Sequence, residues 1–219
     1  SLKDTIQNIH VMKMDAVVMR HPVPGSALQL TNYVDVPIIN AGDGTHEHPT
    51  QALLDAYSLI EKLGDLKNKK ILIVGDILHS RVALSNIYTY KRLGAEVTLC
   101  GPKSLMPRYV ESLNTKVETN LSKALDWCDA VNMLRIQNER MNESYFPSIR
   151  EYVQQYGLNK TLMDSLNKKI VIMHPGPINR GVEITSEVAD SEQAIILDQV
   201  ENGVAVRMAV MYLLASKLK

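Results

Sequence analysis

The stretch Asn40–Leu63, NAGDGTHEHPTQALLDAYSLIEKL, joins an extended segment to a helix, and the junction is crowded with groups that bind anions. Pro49 suits the first helical position, where its missing N–H costs nothing and its fixed φ fits. Gln51 then falls near N3, where its side chain is placed to reach back in a capping box. Ala52, Leu53, Ala56, Tyr57, Ile60 and Leu63 recur at helical spacing, with Gly64 as the stop. His48 and Gln51 therefore belong to the first turn, beside unpaired N–H groups and the positive end of the helix dipole. A phosphate or a polarised carbonyl is held well in such a place. Taken alone, a His-Pro here reads more simply as a capped helix with a surface histidine, so the rest of the chain decides.

Outward from the junction, strands and helices alternate. On the N-terminal side the pattern predicts a helix over 1–14 with Ser1 as its cap, and a buried strand over 16–19 running into Arg20. A helix over 25–33 and a strand over 36–39 follow. The polar segment 65–69 marks a boundary. Beyond it come a parallel core strand over 70–76, a helix over 81–93, a strand over 97–100 and a helix over 107–113. A weak strand starting at Val117, a helix over 121–128 and a strand over 130–134 come next. The tail reads as a helix over 148–166, strands over 170–173 and 195–197, and a helix over 200–217. Val204, Ala205, Met208, Met211, Tyr212 and Ala215 form its expected inner side. Such alternation means an α/β fold with a parallel sheet covered on both faces.

The chain has 219 residues, enough for one large or two small domains, with 45% hydrophobic and 22% charged residues. Its 24 basic residues balance its 24 acidic ones, so no whole-molecule field recruits nucleic acid or an anionic membrane. No apolar run approaches the ~20 residues of a membrane span, and no signal peptide opens the chain. Cys100 and Cys128 sit in apolar contexts without metal-ligand spacing and are expected as buried free thiols of a reducing cytoplasm. Ser1 leads straight into a helix with no initiator methionine, which reads as the middle of a protein.

A nucleotide-binding βαβ unit is the first candidate for such a pattern. The turn Gly75-Asp76-Ile77-Leu78-His79-Ser80 lacks the second and third glycines that admit a pyrophosphate, and no GxxxxGK[ST] occurs. What recurs instead is an arginine just past a strand end: Arg20, Arg81 a few residues on, and Arg135. Ligands bind outside the carboxyl ends of strands in open α/β sheets. Guanidinium forks suit carboxylate and phosphate. Any one of these arginines reads as a solvated charge. Three of them in one cleft, with the neutral amide of Gln137, describe a site for small polyanions. His46 and His48 lack the partners of a metal site, and no Ser–His–Asp or Cys–His arrangement indicates covalent catalysis.

Four motifs together carry a resemblance. Val18-Met19-Arg20-His21-Pro22, His48-Pro49-Thr50-Gln51, Arg135-Ile136-Gln137-Asn138-Glu139-Arg140 and His174-Pro175-Gly176-Pro177-Ile178-Asn179-Arg180-Gly181-Val182-Glu183 resemble the carbamoyltransferase family, in its aspartate branch. The match runs over the whole chain. The ornithine branch carries His-Cys-Leu-Pro where this chain has His174-Pro175-Gly176-Pro177, and a Ser-Met-Gly motif not found here.

The resemblance implies two parallel-sheet α/β domains, the first incomplete, with the active site between them. It implies carbamoyl transfer from carbamoyl phosphate to L-aspartate in pyrimidine synthesis, without cofactor or metal. Arg20 and His48 would be the catalytic groups at the carbonyl oxygen and phosphate, with Gln51 near the amino group. Backbone around Pro175, Gly176 and Pro177 would also contact carbamoyl phosphate. Arg81, Arg135 and Gln137 would hold the carboxylates of aspartate. Residues 1–49 would be the second half of the carbamoyl-phosphate domain, 50–64 a linking helix, 65–197 the aspartate-binding domain, and 198–219 a helix returning to the first domain. A cytoplasmic homotrimer with shared active sites is implied, and the sequence leaves open whether regulatory or dihydroorotase chains join it. The family's Ser-x-Arg-Thr-Arg phosphate motif and a loop bearing a serine and a lysine would lie upstream of Ser1, and without them the chain would be inactive. Two alternatives stay open: a catalytically silent relative, and an enzyme with an ornithine-type acceptor.

Overall fold

The computed structural model describes residues 1–136 and 148–216. In the N-terminal part, strand β1 (Val17–His21) pairs in parallel with β2 (Ile38–Asp43). Helices α1 (Leu2–His10) and α2 (Ser26–Leu30) cover the pair over a small core of Ile6, Met19, Ala27, Leu30 and Val34. Ser1 caps α1 through a full capping box with Asp4. β1 extends through Arg20 and His21, and β2 through Asp43. Arg20 therefore lies inside its strand rather than past the end, and the first residues of the Asn40 junction are strand.

From β2 the chain enters α3 (Pro49–Leu63), with His48 as its N-cap and Gly64, at φ +77°, as its C-cap. Gln51 stands at the third position but closes no capping box. Its Nε2 donates to Asp55 Oδ1 at 2.9 Å instead. The inner face of α3 also differs from the apolar pattern. Leu53, Tyr57 and Ile60 are 45%, 43% and 38% exposed, while Gln51, Asp55 and Ser58 are buried beside Ala52, Leu54, Ala56 and Leu59. Polar groups that satisfy one another can occupy a core, and here they turn the helix away from the side that hydrophobicity marks.

Five further strands form a wholly parallel sheet: β3 (Lys70–Val74), β4 (Glu96–Cys100), β5 (Lys116–Glu118), β6 (Ala130–Met133) and β7 (Val171–Met173). Their spatial order is β5-β4-β3-β6-β7. Side chains alternate as a strand requires: Leu72 and Val74 enter one apolar cluster, Ile71 and Ile73 the other, and all four are wholly buried. Helices α4 (Arg81–Arg92), α5 (Leu121–Trp127), α6 (Ile149–Tyr156) and α7 (Lys160–Asp164) lie between the strands, and the short α8 (Ser186–Ala189) follows the last of them. Helix α9 (Ile196–Ala215) returns to pack along α3. The chain builds outward from β3 to β5 and then restarts at β6 on the other side. That reversal opens a crevice between the carboxyl ends of β3 and β6, where ligands bind in such sheets.

Several expected elements come out differently. The helix over 148–166 is two helices, because the backbone turns extended at Gly157, with ψ 127°, and Leu158 bridges to Ile184. Residues 107–113 hold only a short 3-10 turn, Val110–Leu113. The strand over 195–197 reduces to a bridge at Ala194 and one bond, Ile195 N–H to Ile172 O at 2.9 Å, before α9 begins. The six residues expected on the inner side of α9 are exposed. Ile196, Gln199, Asn202 and Gly203 are buried instead, because α9 meets α3 through side-chain amides. Both cysteines are buried free thiols, and burial pushes each up to about 12. No helix among the described residues is long and apolar enough to cross a membrane.

Candidate active site

A cleft of about 280 Å³ opens at the crevice between β3 and β6. Arg20 enters it from β1, and His48 and Gln51 from the first turn of α3. Arg81 comes from the start of α4, Arg135 from the residues after β6, and Pro175, Gly176 and Pro177 from the turn after β7. Eight of the nine residues marked in the sequence thus line one cleft, and Gln137 lies outside the described residues.

The junction after β2 is shaped by Asp43. Its carboxylate accepts from Asn40 Nδ2 at 2.9 Å, Gly25 N–H at 2.7 Å and Glu47 N–H at 3.0 Å, and it meets His46 Nδ1 at 3.1 Å. Burial opposes its charge, but these donors outweigh it and hold Asp43 below the usual carboxylate range. His48 N–H donates to Ser85 Oγ at 2.8 Å, and Ser85 Oγ donates to the Glu47 carboxylate, which ties the start of α3 to α4.

Arg81 bridges the two halves of the molecule. Its Nη1 donates to Gly44 O at 3.0 Å, and its side chain lies across Gly42. Gly42 has φ +115°, and a Cβ there would stand 2.7 Å from Arg81 Nε, so glycine serves both the backbone conformation and the guanidinium's course.

His48 is the electrostatic centre. Burial first, then the positive charges of Arg81, Arg207 and Arg20, push its imidazole down to about 4. At neutral pH the ring is uncharged, and its Nδ1 is buried without a hydrogen-bond partner among the described residues. An uncharged imidazole among guanidinium groups donates or accepts a hydrogen bond while the arginines supply the charge.

The turn after β7 rests on a buried pair. His174 Nε2 lies 3.0 Å from Glu183 Oε1, with both side chains wholly buried. His174 Nδ1 accepts from Gly176 N–H at 2.9 Å, so the ring proton sits on Nε2 and points at the carboxylate. Glu183 also accepts from Asn179 N–H at 2.8 Å, and Asn179 Nδ2 donates to Ile136 O at 2.8 Å. The segments after β6 and β7 are thereby joined behind the cleft.

Asp76, His79, Ser80, Val82 and Gly44 also line the cleft and were not marked in the sequence. Asp76 holds His79, accepting from its N–H at 3.0 Å and facing its Nδ1 at 2.9 Å. The signal was available. These residues follow the first strand of the large sheet, and any turn at that position faces a ligand, whether or not it carries a glycine fingerprint.

Comparison with known proteins bears directly on this cleft. Residues 1–61 match the carbamoyl-P binding domain of aspartate/ornithine carbamoyltransferase, and residues 67–214 match the Asp/Orn binding domain of the same family. The chain is 71% identical over 219 residues to the aspartate carbamoyltransferase catalytic subunit of Christiangramia forsetii, covering all of this chain and 71% of that protein. The catalytic subunit of M. jannaschii aspartate transcarbamoylase superposes with a TM-score of 0.82 at 36% identity, over 100% of this chain and 72% of that one. The ornithine carbamoyltransferase of Pyrococcus furiosus superposes with a TM-score of 0.86 at 26% identity, over 100% and 72% of the two chains.

Proposed function

This chain belongs to the aspartate/ornithine carbamoyltransferase family, and on that premise we propose that it transfers the carbamoyl group of carbamoyl phosphate to the α-amine of L-aspartate. The products are N-carbamoyl-L-aspartate and phosphate, a step of pyrimidine biosynthesis. The observation that carries this choice of acceptor is the pair of guanidinium groups, Arg81 and Arg135, at the cleft between β3 and β6. They match the two carboxylates of aspartate and repel the cationic side chain of ornithine.

Arg20 and His48 serve the carbonyl oxygen and phosphate of carbamoyl phosphate. Gln51 and the backbone of residues 175–177 serve its amino group. Arg81, Arg135 and Gln137 hold aspartate. The amine attacks the carbonyl carbon, the new C–N bond forms, and negative charge collects on the oxygen. The C–O bond to phosphate then breaks, and the leaving phosphate takes the amine proton. Donors aimed at the oxyanion matter most, since losing one such donor costs about 10²–10³ in rate. His48 suits that role because its imidazole, held down to about 4, is uncharged at neutral pH and keeps its remaining N–H for the oxygen. Holding both reactants in one cleft supplies much of the rest.

Residues 1–49 and 198–219 serve the carbamoyl-phosphate side, 65–197 the aspartate side, and 50–64 link them. Membership of the family supports a homotrimer with shared sites, which sedimentation of the protein tests, and the buried free thiols fit a reducing, cytoplasmic setting. The activity is tested by turnover with labelled carbamoyl phosphate and either aspartate or ornithine. Label in carbamoyl-aspartate alone supports the proposal; label in citrulline, or in neither product, overturns it.

A further inference from the structure

Behind the cleft, the carboxylate of Asp55 is wholly buried and surrounded by four side-chain amides. Oδ1 accepts from Gln51 Nε2 at 2.9 Å and from Gln199 Nε2 at 2.7 Å. Oδ2 accepts from Asn86 Nδ2 at 2.8 Å and Asn132 Nδ2 at 3.3 Å. The four donors come from α3, α9, α4 and β6, so one carboxylate ties these four elements together behind the cleft. Burial of the carboxyl drives its pKa up, and the amide donors oppose that drive.

A carboxylate is an acceptor only, with about four lone-pair directions. Each amide must therefore show it an NH2 group, and the carbonyl oxygen of each amide is turned elsewhere. For Gln51, which lines the cleft, that leaves Oε1 as its polar atom on the ligand side. For Gln199, the turned-out Oε1 accepts from His174 N–H at 3.0 Å, at the base of the turn that carries residues 175–177. Oδ1 thus orients both groups assigned above to the carbamoyl amino end, while Oδ2 only joins α4 and β6.

We propose that Asp55 is a positioning residue for carbamoyl phosphate: it fixes the Gln51 amide with its oxygen toward the cleft, ready to accept from the carbamoyl NH2, and anchors the turn at 175–177 through Gln199. The proposal rests on the carbamoyl-transfer reading above. An unsupported Gln51 amide is free to turn its NH2 outward and meet the ligand's NH2 donor to donor. The carboxamide of asparagine offers a rescue. Its one oxygen can keep both Gln51 and Gln199, and its NH2 can face Asn86 and Asn132. The oxygens of those two side chains are buried without partners among the described residues and become acceptors on rotation.

The test compares Asp55→Ala, Asp55→Asn, Gln51→Ala and the Asp55→Ala/Gln51→Ala double variant in steady-state kinetics, with wild type first. Absence of carbamoyl-aspartate formation by wild type would refute the reading of function, not the positioning role. With wild type active, Asp55→Ala is expected to raise the KM for carbamoyl phosphate about tenfold, the effect of one misdirected hydrogen bond. The KM for aspartate should move less than about twofold, Asp55→Asn should restore the carbamoyl phosphate KM, and the double variant should be no worse than Gln51→Ala. A folded Asp55→Ala with unchanged KM, additive effects in the double variant, or an Asp55→Asn as impaired as the alanine would overturn it. Should Asp55→Ala not fold, ¹⁵N-glutamine labelling of wild type decides: the Gln51 side-chain NH2 must exchange slowly with solvent, and rapid exchange sinks the proposal.

Discussion

Lowering the pH titrates His48 against the charges of Arg81, Arg207 and Arg20, and the structure sets both the direction and the size of the response. The ring's ordinary value is 6.5, and in the fold it is held at about 4. Between those values the unfolded chain binds a proton that the folded one refuses, so stability falls as pH drops from 6.5 toward 4. At about 1.4 kcal/mol per unit, the whole displacement is worth about 3 kcal/mol, present above pH 6.5 and lost by about pH 4. Phosphate bound between the arginines would cancel much of their field and raise the pKa of the ring. The assay is NMR titration of the histidine ring signals, with the His48 resonance assigned by its loss in His48→Asn, alongside urea unfolding of both proteins from pH 7.5 to 4. Wild type should lose up to about 3 kcal/mol more than His48→Asn across that range. Inorganic phosphate should move the His48 titration upward. A His48 ring that titrates between pH 6 and 7 without phosphate would refute the electrostatic argument.

Arg135→Ala should raise the aspartate KM by at least tenfold, the loss of a charge-assisted bond of 1.5–3 kcal/mol in order of magnitude; an unchanged KM removes Arg135 from the acceptor site. Gly42→Ala places a Cβ 2.7 Å from Arg81 Nε, so the guanidinium must shift. The aspartate KM should rise about tenfold while the carbamoyl phosphate KM holds, and equal changes in both would contradict the assignment of Arg81. Glu183→Ala leaves the buried His174 Nε2–H and the half-buried Asn179 N–H without their acceptor. Its cost in urea unfolding should be about 2–4 kcal/mol, from about 1–3 kcal/mol for each unsatisfied donor, and a loss below about 1 kcal/mol would show that water or a shifted side chain fills the gap.

The alternation of strands and helices was legible because the buried strands of the large sheet are short apolar runs, Ile71–Val74 in particular, whose inner faces need no polar exception. The inner face of α9 was misjudged for the opposite reason, and that of α3 departs from its apolar spacing in the same way. Their shared interface is built from Gln51, Asp55, Ser58, Gln199 and Asn202, so apolar periodicity pointed away from it. Arg81 and Arg135 could be found because each follows a strand in sequence, and Arg20 because it closes an apolar strand run, although its strand continues through His21. Asp76 and His79 were overlooked because their turn was judged only as a dinucleotide fingerprint, although its place at the carboxyl end of β3 already exposed it to a ligand. The network around Asp55 was not legible at all, since Asp55 and Gln199 lie 144 residues apart.

One crystal structure would weigh most: this protein with N-(phosphonacetyl)-L-aspartate, a single molecule carrying both reacting ends. Its phosphonate and carbonyl oxygen should lie within hydrogen-bond reach of Arg20 and His48, and its two carboxylates against Arg81 and Arg135. A molecule seated outside the crevice between β3 and β6, or with its carboxylates on Arg20 and His48, would contradict the division of the cleft into a carbamoyl-phosphate end and an aspartate end.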